Sequence, residues 1–591
     1  MTLSEATIRG LATAQSFERG ENYYHTGAVL DLSKRENTLL ARVEGSRYEP
    51  YQVTVELSEQ GLAAAHCSCP YDWGGYCKHI VAALLAYLRE PEQVIERQSM
   101  AELLGGLERG ELLELLTGLL SEQPRLIDWV EMKLAAQSAV ASVEEGDRPH
   151  QRQRPVNPEP FHKQALYIMN SLSDVRPSEA YWGISGMVDQ MRSLINQAQP
   201  FIKAGDGRSA LLILEAVAQV YLDRWLAYDD SSGYLGSLFT DIGYLFTEAI
   251  LSADLSEEER DEWGQRLTAW QGEIEDYGID EAFDAAIGAA VQGWDFPPLQ
   301  AVLEGHITEQ GAWEDEAPWY ADDLALARLN VLERQGKTTE YLYLARAEGQ
   351  TALYLTKLVK LGRVQEAVEY AMQNMANIDE ALALAQALRE HNQPAQALTI
   401  AERGLTLHGD PLTLARWTRD FAAQVGQPAL ALEAARVAFA GYHFLEDYRA
   451  AAVIAGEAWP AVRAELLKLL AEADTDYGKI DIYLYEGMVD QAVQAIDSGS
   501  HWGYSTVEQV VDAAYKSHPD WAIRQCKRQA EPIMNGGQSR HYHHAVRWLE
   551  KACRAYLEAG RQDEWAAYLE DLISQHARKY SLRPQLEALR K

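Results

Sequence analysis

The chain has 591 residues, 47% hydrophobic and 24% charged, and carries a formal net charge of −35. Such a length predicts several domains, an apolar fraction of this size excludes a disordered chain, and the longest apolar run, Ile80 to Leu88, is too short to span a bilayer. Residues 1–90 hold eight Lys/Arg against eleven Asp/Glu while the rest hold 45 against 77, so an acidic body opposes binding that depends on phosphate contacts.

Tyr51, Val53, Val55 and Leu57 alternate with Gln52, Thr54 and Glu56, the period of a half-buried strand. After a turn at Gly61, residues 62–66 predict a second strand that runs into Cys67 and Cys69. Pro70 and the Gly74-Gly75 pair mark a tight loop. From His79, the residues Ile80, Leu84 and Leu88 beside Val81 and Leu85 follow a helical stripe. Cys67, Cys69, Cys77 and His79 are four soft donors within thirteen positions, and three of the five cysteines fall in this run. Zinc is held tetrahedrally by thiolates and imidazole, and a site closed by four protein donors is structural. The competing readings are a disulfide, or buried thiols beside an unrelated histidine, with His66 as a substitute ligand. The N-terminus lacks a basic start followed by an apolar core, so no secretory signal is expected, and clustered Cys and His in a cytoplasmic chain point to metal. The expectation is one structural zinc ion on Cys67, Cys69, Cys77 and His79.

The Cys-x-Cys-x7-Cys-x-His spacing running into CKHIVAALL resembles the SWIM-type zinc finger, in the manner of bacterial stand-alone proteins with a C-terminal helical-repeat region. Phe17, Gly20, Tyr23, Tyr24, Gly27, Val29, the run Val43 to Ser46 and Tyr48 fit the same family. The resemblance covers residues 10–90, or up to 140 if the following helices belong to it. It implies that the four named residues bind zinc and that the module contacts protein or DNA.

Beyond Met100 the chain reads as helices. Residues 101–135 have leucines at three- and four-residue spacing, broken at Gln123-Pro124, which predicts two helices docked after the zinc module. Residues 141–163 hold Pro149, Pro155, Pro158 and Pro160 without apolar periodicity and read as a linker. Farther on, Gly362…Ala367, Asn392…Ala397, Gly426…Ala431 and Gly487…Ala492 repeat a turn residue followed five positions later by Ala, with Gly205…Ala210 as a degenerate copy. The strong copies start 30, 34 and 61 residues apart, the last about two periods. Repeats near 34 residues mark tetratricopeptide-like helix pairs. The seven tryptophans between 180 and 320 predict mostly core, with one or two on the surface.

Gly336-Lys337-Thr338 lacks the earlier glycine of a phosphate loop, and Asp474-x-Asp476-x-Gly478 fails as a calcium loop at its third ligand. His541 and His544 are expected to share a helix face rather than bind metal. No acid–base pair or nucleophile motif is found, so no catalytic residue is assigned and the chain is not expected to be an enzyme. The fold expected is mainly α: a SWIM-type α+β zinc module (1–95), a helical extension (96–140), a linker (141–163) and an acidic tetratricopeptide-like α-solenoid (164–591) in one or two lobes. The function expected is a cytoplasmic, non-membrane adaptor binding protein partners through the helical repeats. The alternative is a DNA- or RNA-associated regulator using residues 1–140, with a basic face of Arg9, Arg19, Lys34, Arg35, Arg42, Arg47 and Lys78.

Overall fold

The computed structural model describes residues 4–45, 50–58, 61–69, 71, 75–123, 126–127, 129–135, 156–173, 177–473, 478–499, 502–536 and 538–590. Contacts divide the chain into two units, Met1–Ala135 and Ala136–Lys591.

The first unit opens with helices α1 (Glu5–Leu11) and α2 (Ala14–His25), whose first turns are capped by the Ser4 and Thr13 hydroxyls. Four strands follow: β1 (Val29–Arg35), β2 (Thr38–Val43), β3 (Tyr51–Ser58) and β4 (Gly61–Cys67). They form an antiparallel meander, and β5 (Ile95–Arg97) adds in parallel beside β1 after helix α3 (Lys78–Arg89). Leu39, Ala41 and Val43 of β2 and Tyr51, Val53 and Val55 of β3 are buried while their neighbours are not, the alternation of a sheet with one covered face. Helix α3 covers that face, with His79 to Ala86 all buried. Helix α2 packs on α3 at close range. A Cβ at Gly20 would lie 2.5 Å from Val81 Cβ, so glycine permits the approach.

The helical extension differs from its expectation. It breaks already at Gly106, giving α4 (Met100–Gly105) and α5 (Arg109–Glu122), and neither helix buries a residue. Residues 126–127 and 129–135 are helical again.

In the second unit, residues 141–155 of the expected linker lie outside the described residues. Residues 159–163 are not linker: helix Glu159–Met169 starts there, with Pro160 and Phe161 buried. Proline is tolerated in a first helical turn, where its missing N–H has no intrahelical role, and Pro160 stands in that turn. Between 207 and 292 the core is aromatic, with Trp225, Phe239, Phe283, Trp270 and Phe246 linked in a chain of edge-on and tilted ring contacts. Among the tryptophans named above, Trp225, Trp270 and Trp313 are buried, Trp263 and Trp294 half-buried, and Trp319 is 53% exposed; the side chain of Trp182 lies outside the described residues.

From Thr351 onward the helices stack as antiparallel pairs. Thr351–Lys360 pairs with Val364–Asn374, Ile378–Glu390 with Pro394–Gly404, and Leu412–Gln424 with Pro428–Tyr442. Equivalent helices of successive pairs also touch: Thr351–Lys360 on Ile378–Glu390, and Val364–Asn374 on Pro394–Gly404. That nearest-neighbour stacking is an α-solenoid. Further helices continue it to the C-terminal end, and helix Ala321–Arg334 packs on Thr338–Ala347 ahead of it.

The repeated phrase now has a physical meaning. Gly362, Asn392, Gly426, Gly487 and Gly205 all have positive φ, from 56° to 77°. Each ends a helix, and the next residue's N–H reaches back to a carbonyl five positions earlier, as Gln427 does to Ala422 at 2.8 Å and Met488 to Tyr483 at 2.7 Å. This is the Schellman stop. The following helix starts at once, and the Ala five positions on is fully buried against its partner in all five copies. Gly336, Gly349 and Gly560 make the same turn with Tyr341, Tyr354 and Trp565 at the packing position. The Gly336-Lys337-Thr338 sequence is therefore a helix–helix turn.

Candidate metal centre

The site forms where β4 ends and α3 begins. Cys67 stands opposite Val53 in the β3–β4 register. Val53 faces α3, so the alternation turns Cys67 toward the helix as well; a slip of one residue would send it to the other side. His66, opposite Thr54, falls on that other side and is exposed, which removes it as a substitute ligand. Cys69 follows two residues after the strand. Cys77 is the N-cap of α3, and His79 lies in its first turn. The returning loop is tied to the end of α1: Tyr76 N–H donates to the Leu11 carbonyl at 2.8 Å. Gly75 makes this possible with φ +67° and a Cβ position only 2.8 Å from the same carbonyl.

One donor atom from each of Cys67, Cys69, Cys77 and His79 lies within 4.8 Å of the others, a grouping found nowhere else among the described residues. His79 Nδ1 is 3.7 Å from Cys67 Sγ and 3.8 Å from Cys77 Sγ. Tetrahedral zinc with ordinary bond lengths sets nitrogen and sulfur about 3.6 Å apart, so the spacing fits the ion. The imidazole meets the sulfurs through Nδ1, leaving Nε2 as the protonated nitrogen. Nε2 is buried without a hydrogen-bond partner among the described residues, and the ring is packed between Tyr51 at 4.5 Å and Tyr23 at 5.5 Å. A Cβ at Gly45 would come within 2.2 Å of the Tyr51 ring and 3.1 Å of Nε2, so glycine there lets the strand end pass the histidine.

The sulfurs are crowded enough to perturb one another. Hydrogen bonds from Cys67 and then Cys77 hold the Cys69 thiol far below its ordinary range, while Cys69 and then Cys77 push Cys67 far up. Cys77 is drawn down by Cys67 but raised on balance by Cys69 and burial. Three thiols in contact cannot all ionise without a cation between them. A divalent ion removes that conflict, because it binds each sulfur as thiolate.

Residues 51–88 match the SWIM zinc finger family. The chain carries a SWIM zinc module. The match spans β3, β4, the ligand loop and α3, and leaves out the first two helices and two strands on which the SWIM module is packed. Among solved structures, the chain is similar to a circular tandem repeat protein with novel repeat topology, at 15% identity over 79% of this chain and 99% of that one, with a TM-score of 0.17. It is also similar to the APC/C hetero-tetramer Cut9–Hcn1, at 12% identity over 78% and 96%, with a TM-score of 0.14.

Among the described residues the other motifs assemble no second centre. His541 and His544 have rings 6.2 Å apart at the start of helix Tyr542–Glu558, and no third donor joins them among the described residues. Cys526 is fully buried, its thiol pushed up to about 12 by burial. Asp474 and Asp476 lie outside the described residues. Of the cations named for a basic face, Arg9 pairs with Glu5, Lys34 with Glu96 and Arg42 with Asp31, while Lys78 donates to the Tyr23 hydroxyl. No helix among the described residues is long and apolar enough to cross a membrane.

Proposed function

We propose that the chain is a cytoplasmic, non-catalytic adaptor. Cys67, Cys69, Cys77 and His79 hold one zinc ion that orders residues 1–95, and the helical array binds partner proteins. The observation that carries this reading is the closure of the metal centre. Four protein donors lie within 4.8 Å of one another, and a tetrahedral ion held by all four would have no position left for water or substrate, which would make it a fold element. When bound, zinc supplies charge neutralisation for three thiolates and a cross-link from the β4 end to the α3 start. The chain's own residues do the rest: Tyr23 and Tyr51 fix the imidazole plane, and α1 anchors the loop. Stacked helix pairs present an extended surface of the kind that grips other proteins. Internal pairing of Arg9, Lys34 and Arg42 takes charge away from a phosphate-binding face and favours protein as the partner.

The test is affinity capture with the full-length chain, with bound protein and bound nucleic acid both quantified. A discrete set of proteins surviving nuclease treatment and 0.5 M salt, about five times the ionic strength at which exposed charges are screened beyond 10 Å, is the expected result. Recovery of nucleic acid alone, lost steeply with salt, would overturn the reading.

A further inference from the structure

Helices Tyr504–Ala514, Pro519–Asn535 and Tyr542–Glu558 line a cleft of about 500 Å³, a volume usual for small-molecule sites. Buried Trp548 and half-buried Ile533 close its inner end, and Pro532 and Tyr504, the latter 62% exposed, form apolar walls nearer solvent. Pro532 stands inside its helix and offers a rigid ring with no N–H to satisfy. The polar side chains of the lining are Glu508, Gln538, His541, His544 and Arg547.

Charge at this place departs from the rest of the chain. No acidic residue falls between Glu531 and Glu550, although the chain's 88 in 591 would put two or three in those eighteen positions. The same run holds Arg540, Arg547 and three histidines. Glu508 is the carboxylate of the cleft, and Arg547 Nη2 at 2.7 Å and Lys551 Nζ at 3.1 Å share it. Lys551 also holds Asp512 at 2.6 Å, which Arg554 approaches at 3.8 Å. Three cations against two carboxylates leave one positive charge in a chain of net charge −35. Arg547 spends one nitrogen on Glu508 and its side chain is 65% exposed, so the guanidinium keeps donors for a second anion. His544 lies three residues before it on the same helix face, and its imidazole adds a further donor.

We propose that this cleft binds a small carboxylic acid with an apolar body, the carboxylate on Arg547 and His544 and the hydrocarbon against Trp548 and Ile533. A monoanion matches the surplus of one positive charge. A phosphate dianion exceeds it and meets Glu508, and a cationic ligand finds Glu508 already shared by two cations. The site requires neither zinc nor a protein partner, so it stands apart from the adaptor reading.

Fluorine NMR line broadening of para-fluorophenylbutyrate, titrated with the full-length, zinc-loaded chain, tests this, with the corresponding amide as the uncharged probe. The acid is expected to bind about tenfold more tightly than the amide, the worth of a charge-assisted hydrogen bond. Arg547→Gln with His544→Gln should remove that advantage and leave amide binding unchanged, which also reports an intact cleft. Arg547→Lys, which keeps the charge, should retain most of it, and Glu508→Gln should tighten the acid alone. Tyr504→Ala should weaken both probes, because it removes an apolar wall they share. Equal affinity of acid and amide, an acid bound as well by the double variant as by wild type, or no broadening of either probe would overturn the proposal.

Discussion

At the scale of single residues, burial decides which groups the fold keeps neutral. His443 closes helix Pro428–Tyr442 in the left-handed region at φ 55°, is buried against Phe439, and has no partner for Nδ1 among the described residues. Burial first, and Lys479 second, lower its pKa from the ordinary value of 6.5. The unfolded chain therefore binds the proton more readily, and stability must fall as pH drops below 6.5 and level off above it. His443→Asn, which tolerates the same backbone, should shrink the loss of denaturation midpoint between pH 7.5 and 5.5. An undiminished loss would show that His443 does not contribute. The grouping of the four candidate donors was legible in the sequence because all four sit within thirteen positions and zinc accepts few donor sets. The residues that back His79 were less so. Tyr23, Gly45 and Tyr51 are spread across α2, the β2–β3 connection and β3, and only the folded sheet shows that they converge on one imidazole.

At the scale of elements, the turn proved more constant than the residue used to find it. A sequence phrase built on Ala misses Gly336, Gly349 and Gly560, because their pairs open wide enough to admit Tyr341, Tyr354 and Trp565. What all share is a left-handed residue whose successor donates back across the helix end. Gly426, with φ 77° and open space where a Cβ would go, isolates that requirement from packing. Gly426→Val should cost about 1–2 kcal/mol in urea denaturation, the penalty of the left-handed conformation for an L side chain, and Gly426→Asn distinctly less. Equal costs would mean that something other than backbone conformation is at work. The strands β3 and β4 follow directly from alternation and from the cysteine positions. Polar-rich β1 and three-residue β5 carry no comparable signal, and they are strands because the meander and α3 supply their partners. The extension also shows the limit of periodicity: α5 has the stripe of a packed helix, but the stripe does not say what packs on it.

At the scale of the whole molecule, the two units rest on different physics. The helical array is held by cores that run through tens of residues, such as the cluster from Leu299 to Ala431, and contains no candidate metal group among the described residues. The SWIM module has a small core under one sheet face, and its loop between β4 and α3 brings the four donors together beside the tie from Tyr76 N–H to the Leu11 carbonyl. Zinc loss should therefore unfold the module and leave the array standing. The most direct measurement is elemental zinc analysis of the full-length chain, wild type beside Cys77→Ser with His79→Ala, with limited proteolysis of both. About one zinc per wild-type chain is expected, with none in the variant and new cleavage confined to residues 1–95. A wild type purified without chelator that contains no zinc, or a variant that loses zinc yet keeps an equally protected module, would contradict a structural metal.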